Sequence, residues 1–408
     1  MILCTYIWHF REPRDRSVNR LDLESASESL VCEAARYGQA SEMFGPQAER
    51  QYDPVSLPRS LWDQTSGEAA VGQLWDAIPN NLRAPLRNSN PGDEIKICIA
   101  SPLAAIGELP WEYLADAAQA NGVSARLRIA RTVPIAASPP SLSVQRPIRV
   151  LLVASNPKDE RLMDTQRELA LLQRSLSADA YCAQILTEPT LEGVRNALVS
   201  FQPTIVHFVG HAGVDHGAGM LVLHDPSSGT AWIGASTVAA LLPISVRLMC
   251  LSTGVSAPNY DIRGLERFAQ APGELRLPSM IFNCRNLTEN AAATFWLSFY
   301  SNIVAFGGDA AGAFFTAQDA TRAVSVTEWG SFALIERSSG SKPFGLTEEA
   351  DHARYADEIK ALLSSRLTSE LSERMSQLGE AGSDLFGDRL SEEASRFNEL
   401  SARLGSKQ

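Results

Sequence analysis

The chain has 408 residues, 45% hydrophobic and 20% charged, which excludes a disordered polymer; the length allows two or three units, and one large domain with appendages is expected. Its 36 Lys plus Arg stand against 47 Asp plus Glu, a net charge of −11, and such a surface repels phosphate backbones, so nucleic acid is not expected as a direct partner. The apolar start MILCTYIWHF has no basic region before it and no small-residue cleavage site after it, and no segment reaches the ~18 uncharged apolar residues of a membrane span. A cytoplasmic protein with no membrane association is expected.

In chain order, residues 1–90 mix short apolar runs with polar stretches. Toward their end Leu61, Trp62, Leu74, Trp75 and Ile78 recur at roughly helical spacing before Pro79, which predicts a helical close. EIKICIA (94–100) and ARLRIART (125–132) alternate apolar with polar residues as half-buried strands do. Between them LPWEYLAD (109–116) places Pro-Trp-Glu at a strand-to-helix joint, which suits helix initiation. The Pro- and Ser-rich stretch 133–147 reads as a linker.

The pattern then changes. IRVLLVAS (148–155) is a continuous apolar run, followed by an amphipathic helix through RELALLQRSL, a second helix in TLEGVRNALVSF, and the run TIVHFVGH (204–211). MLVLHD (220–225), VRLMCLST (246–253) and LPSMIFNC (277–284) continue the series, with a helix from about Thr288 through Tyr300. Apolar strands separated by helices predict a mainly parallel sheet sandwiched by helices. From about Gly345 the chain is polar with Leu, Ile and Met at helical spacing, a helical appendage. The expected division is 1–140, an N-terminal α/β extension, then 147–340, then the appendage 345–408.

The six cysteines, at 4, 32, 98, 182, 250 and 284, form no close pair of the kind zinc or redox chemistry uses, and Cys98, Cys182, Cys250 and Cys284 read as small buried hydrophobes. No P-loop, H-E-x-x-H or post-strand G-x-G-x-x-G occurs, so neither a metal nor a cofactor is expected. In a parallel sheet, functional side chains gather beyond the carboxyl ends of the strands. His211 stands at such an end, beside Gly210, and is the better general base; His207, inside the apolar run, reads as a buried hydrogen-bonded histidine. The following loop, with Gly213, Gly217 and Gly219, is expected to bring backbone N–H groups near a substrate, placing Gly210 and Gly213 by the oxyanion. Asp225 reads either as part of a substrate pocket or as a turn residue before Pro226.

Together LPWEYLAD, IRVLLVASNP, HFVGHAG (207–213), LVLHD (221–225), VRLMCLS (246–252), ENAAATFWLSFYSNI (289–303) and DAAGAFFTAQDATR (309–322) resemble, in this order, the CHAT domain, a caspase-like and separase-like group of cysteine peptidases found largely in bacteria. The resemblance spans roughly 60–336. It implies a caspase-like fold and a dyad of a histidine ending the HFVGH strand and a cysteine in a pattern like Leu-Ser-Ala-Cys. His211 matches the histidine. Gly254 stands where the cysteine belongs, and a glycine has no side-chain atom to attack a carbonyl. Cys250 lies four residues earlier, about 13 Å away at ~3.3 Å per residue, and Ser252, Thr253 and Ser256 read as ordinary loop hydroxyls. Gly254 is then either an introduced replacement or the mark of a natural pseudoprotease. The resemblance implies a partner-activated proteolytic effector in bacterial signalling or antiviral defence, with a protein substrate or regulatory partner. The alternative is a non-catalytic protein-binding scaffold with 345–408 as its partner surface.

Overall fold

The computed structural model describes residues 4–11, 30–37, 49–55, 67–78, 80–100, 109–132, 142–157, 165–176, 179–227, 229–252, 267–269, 277–285, 287–337 and 342–347. The chain divides into two compact units, 1–350 and 351–408, and the expected helical appendage lies outside the described residues from 348 onward.

The frame is an eleven-stranded sheet. Its C-terminal half is built from β7 (Ile148–Ala154), β8 (Tyr181–Thr187), β9 (Ile205–Val209), β13 (Leu248–Ser252), β14 (Ser279–Asn283) and β15 (Phe332–Glu336) in the order β8-β7-β9-β13-β14-β15. The first five run parallel and β15 runs against β14. β15 then pairs in parallel with β5 (Arg126–Thr132), which joins β4 (Glu94–Ala100), β1 (Cys4–Arg11), β2 (Leu30–Tyr37) and β3 (Glu49–Val55), the last two antiparallel. The expected α/β class, with a large and mainly parallel sheet between helices, is what the structure has.

Period-two alternation assigns the faces. On β7, Val150 and Leu152 enter a core shared with α4 (Thr165–Ser175), α7 (Glu289–Ala305) and α8 (Ala310–Val324), where Phe295, Phe299, Phe314 and Phe332 pack together. Leu151 and Val153 face the other way, toward α5 (Leu191–Phe201) and α6 (Ala235–Leu241). A third core sits under α1 (Gly67–Ala77), α2 (Asn80–Arg87) and α3 (Leu114–Ala120), where Trp75, Trp111 and Ile97 are buried; Leu61 and Trp62 lie outside the described residues. Helix starts follow local chemistry: the Thr190 and Asp309 side chains accept from the Gly193 and Gly312 N–H groups at 3.0 Å each.

Four expectations change. The polar edge strand β8 sits between the two helices expected in direct succession; its half-exposed residues leave no apolar run to read. The stretch taken as a linker contains β6 (Leu142–Gln145), which pairs in parallel with β16 (Phe344–Thr347), so the start expected for the helical appendage is a strand. The glycine loop after His211 is a hairpin, β10 (Ala212–Asp215) and β11 (Ala218–Asp225), extended by β12 (Gly229–Gly234) into a three-stranded sheet. Cys182 is exposed on β8, whereas Cys98, Cys250 and Cys284 are buried as expected. No helix among the described residues is long and apolar enough to cross a membrane.

Candidate active site

The two strand ends singled out in the sequence belong to neighbouring parallel strands. β9 and β13 pair from Ile205 opposite Leu248 to Val209 opposite Ser252, and the Gly210 N–H donates to the Ser252 carbonyl at 3.0 Å. On the other side of β9, the Ser155 N–H just beyond β7 donates to the Val209 carbonyl at 2.8 Å. The chain winds outward from β7 to β8 and returns to β9 across β7. Strand order therefore reverses between β7 and β9, where parallel sheets leave a crevice at their carboxyl ends.

His211 lies at this reversal point. Its side chain is buried, and its Nε2 is 3.3 Å from Asn156 Oδ1, on the residue pair that follows β7. Its carbonyl accepts from the Val222 N–H at 3.0 Å, which ties the hairpin to the strand tip. Gly210 is demanded by crowding: a Cβ there would sit 2.6 Å from Phe208 Cζ and 2.8 Å from the Ser155 carbonyl oxygen. A side chain would force the tips of β7 and β9 apart.

On the β13 side, the Ser252 hydroxyl donates to the carboxyl of Glu168 in the first turn of α4. Burial pushes the Glu168 carboxyl up to about 7, against the opposing pull of the Ser252 hydrogen bond. A carboxyl poised near neutrality in a strand-end crevice is the kind of group that marks functional sites. Thr253, Gly254 and Ser256 lie outside the described residues.

His207 and Cys250 face each other across β9 and β13 but belong to the core. The His207 Nδ1 is 2.7 Å from the Tyr300 hydroxyl, its ring packs 4.4 Å from Trp296, and burial pushes the imidazole down to about 3. The buried histidine expected at 207 is therefore found. Burial also drives the Cys250 thiol far above its ordinary range, so it stays protonated and out of reach of solvent.

The hairpin corrects the loop expected around the glycines. Gly213 sits in β10 opposite Met220, and a Cβ on it would lie 2.6 Å from the ring of the exposed Trp232, so a side chain there would have to displace that ring. Gly217 and His216 form the two-residue turn with φ of 82° and 48°, the paired left-handed residues that close a tight hairpin. Asp225 ends β11, three residues beyond the Val222 that bonds His211, or about 10 Å along the strand. Its Oδ1 accepts from the Ser227 N–H at 2.8 Å and the Ser227 hydroxyl at 2.7 Å, the turn role weighed for it.

Asn156 and Glu168 were given no role in the sequence reading. Asn156 is the polar residue that follows the apolar strand in IRVLLVASNP. Glu168 read as an ordinary acidic residue near a helix start, where the helix dipole alone would explain it.

The model of the CHAT domain family matches residues 68–340. No curated protein matches the chain. Similar solved structures include the Saccharomyces cerevisiae separase–securin complex, at 13% identity and a TM-score of 0.34 over 60% of this chain and 15% of that chain. The Arg-specific cysteine proteinase gingipain R is similar at 11% identity and a TM-score of 0.38, over 65% of this chain and 68% of that one. This chain thus spans a small fraction of the separase chain that it resembles.

Proposed function

Because this chain belongs to the CHAT domain family and carries its caspase-like peptidase fold, we propose that the crevice at the ends of β7, β9 and β13 is a cysteine-peptidase site, with His211 as general base and position 254 as the place of the nucleophile. One observation carries this reading. Val209 and Ser252 face each other at the ends of the adjacent, parallel strands β9 and β13, and in the sequence His211 and Gly254 each follow two residues later. In a family member with a thiol at the second position, the imidazole takes the thiol proton, the thiolate attacks the carbonyl carbon, and the imidazolium returns the proton to the departing amine. Asn156 Oδ1, accepting from Nε2–H, orients the ring and leaves Nδ1 as the proton acceptor. The Gly210 N–H already donates to the Ser252 carbonyl, and Gly213 pairs with Met220 in the hairpin two residues beyond the His211–Val222 hydrogen bond, so an oxyanion would need donors from elsewhere.

With Gly254 in place the chain has no nucleophile there, and Cys250 does not replace one, being buried and protonated. That favours a second reading for this sequence: a pseudoprotease that keeps the fold to bind a protein partner, with 345–408 as the binding segment. The wider role we propose is a partner-regulated effector, or its scaffold, in a bacterial signalling or antiviral defence system in the cytoplasm.

Gly254→Cys tests the site. A thiol-directed probe is expected to label that variant rapidly, and adding His211→Ala is expected to slow labelling at least tenfold. Labelling of Gly254→Cys that is no faster than an exposed cysteine such as Cys182 would sink the dyad. For the scaffold reading, removal of 348–408, which spares β16, is expected to abolish partner capture while the remaining chain keeps a cooperative urea transition; retained capture counts against it.

A further inference from the structure

The large sheet is open at both ends among the described residues, and its two edges are built differently. The segment of β3 reads ERQYDPV, with three charged residues and a proline in its sequence. β8 reads YCAQILT and has neither charge nor proline, in a chain whose net charge is −11. Cys182, Ala183 and Thr187 are exposed along it. The strand is also held firmly from within: the Tyr181 hydroxyl donates to the Tyr300 carbonyl at 2.5 Å and Ile185 packs on the core beneath α4.

The ladder fixes which backbone groups are open. The Ile148 N–H donates to the Ala180 carbonyl at 2.7 Å, so residues 182, 184 and 186 turn their N–H and carbonyl groups toward β7. Those of Tyr181, Ala183, Ile185 and Thr187 point outward. We propose that β8 is a self-pairing edge at which a second copy of this chain adds its own β8 in antiparallel register about a two-fold axis through Gln184. That register sets Ala183 against Ile185 and Tyr181 against Thr187 as hydrogen-bonded pairs, and Cys182 against Leu186 as a close non-hydrogen-bonded pair. Every outward group of the seven-residue strand then finds a partner. The occupant is a second copy because the strand is complementary to itself under a two-fold, and because pairing β8 with β8 brings no like charges into contact although the two chains repel overall. The ordered edge loses little freedom on pairing. The inference is independent of the peptidase reading.

Light scattering of the full chain is expected to give twice the 44.3 kDa of one copy at micromolar concentration. Ala183→Pro removes an outward N–H without touching the β7 ladder, and is expected to give the single-chain mass with unchanged circular dichroism. Leu186→Cys is expected to form a covalent dimer under mild oxidation, through Cys182 of the other copy, and to lose it when Cys182→Ser is added. A monomeric unaltered chain, or a Leu186→Cys chain with no Cys182-dependent crosslink, overturns the proposal. A dimer that survives a folded Ala183→Pro also overturns it, and if that variant misfolds the crosslink alone decides.

Discussion

The two halves of the large sheet solve burial in opposite ways. In the N-terminal half, β4 and β5 place charges inside the protein and pair them: Lys96 with Glu336 across the seam, Arg128 with Glu94 at 2.6 Å and Asp319 at 2.8 Å, and Arg131 with Glu112 through two contacts of 2.9 and 2.8 Å. In the C-terminal half the strands β7, β9, β13 and β14 are buried along nearly their whole length, mostly with apolar side chains; His207 on β9 and Ser279 at the start of β14 are buried polar exceptions, and Ser252 and Asn283 stand at carboxyl ends. Ion pairs in the first half join strands, helices and the seam. In the second half the pairs Asn156–His211 and Glu168–Ser252 stand at the carboxyl end of the sheet. A charge satisfied inside a buried ion pair specifies how pieces fit together; a polar residue held at a strand tip stands where a substrate can reach it.

The sharpest way to break this contrast is to remove one member of a buried pair. Glu112→Ala leaves the Arg131 guanidinium uncompensated and is expected to lower stability by about 3–5 kcal/mol, read as the urea midpoint, without altering probe labelling of a Gly254→Cys chain. An equal loss of labelling in the chain that remains folded would mean the halves are not separable in function. Gly210→Ala acts on the other half. Its added Cβ meets the Ser155 carbonyl and Phe208, so a destabilisation of about 1–3 kcal/mol is expected, together with slower labelling at position 254.

A smaller effect sharpens the role of Glu168. Its carboxyl is held near 7, above the ordinary 4.5, so the folded state binds more protons than the unfolded state between those values and stability falls as pH rises through that window. Glu168→Gln is expected to remove that fall, a difference of roughly 1–3 kcal/mol between pH 5 and pH 8 in denaturant titrations. His207 acts in the opposite sense, since its folded value of about 3 takes stability away as pH drops below the ordinary histidine range; the Glu168→Gln curve should retain that acid limb. Asp225→Ala is expected to shift stability by no more than about 0.5 kcal/mol and to leave labelling unchanged, because its bonds close a surface turn. A large loss of labelling would return Asp225 to the substrate pocket.

Much of the framework was legible in the chain. The runs at 94–100, 148–154, 205–209, 248–252 and 279–283 announced themselves because a strand buried on both faces, or alternating between faces, leaves a pattern within its own residues. Edge and hairpin strands did not. β8 and β12 are half exposed and carry mixed side chains, so their strand character comes from the neighbour they pair with. The glycines at 210 and 213 were visible, yet the Phe208, Ser155 and Trp232 atoms that crowd them were not.

The sequence by itself determined the α/β class, the buried character of His207, the position of His211 at a strand end, and the glycine at 254, since each depends on local pattern or on the identity of one residue. Only the tertiary structure decided that Asn156 meets the imidazole of His211 and that Glu168 meets Ser252. The members of these pairs stand 55 and 84 residues apart, and only the winding of the chain, outward from β7 and back to β9 and β13, brings them to the same end of the sheet. The carboxyl of Glu168 owes its displaced titration to that placement as well, because desolvation belongs to a site and not to a residue type.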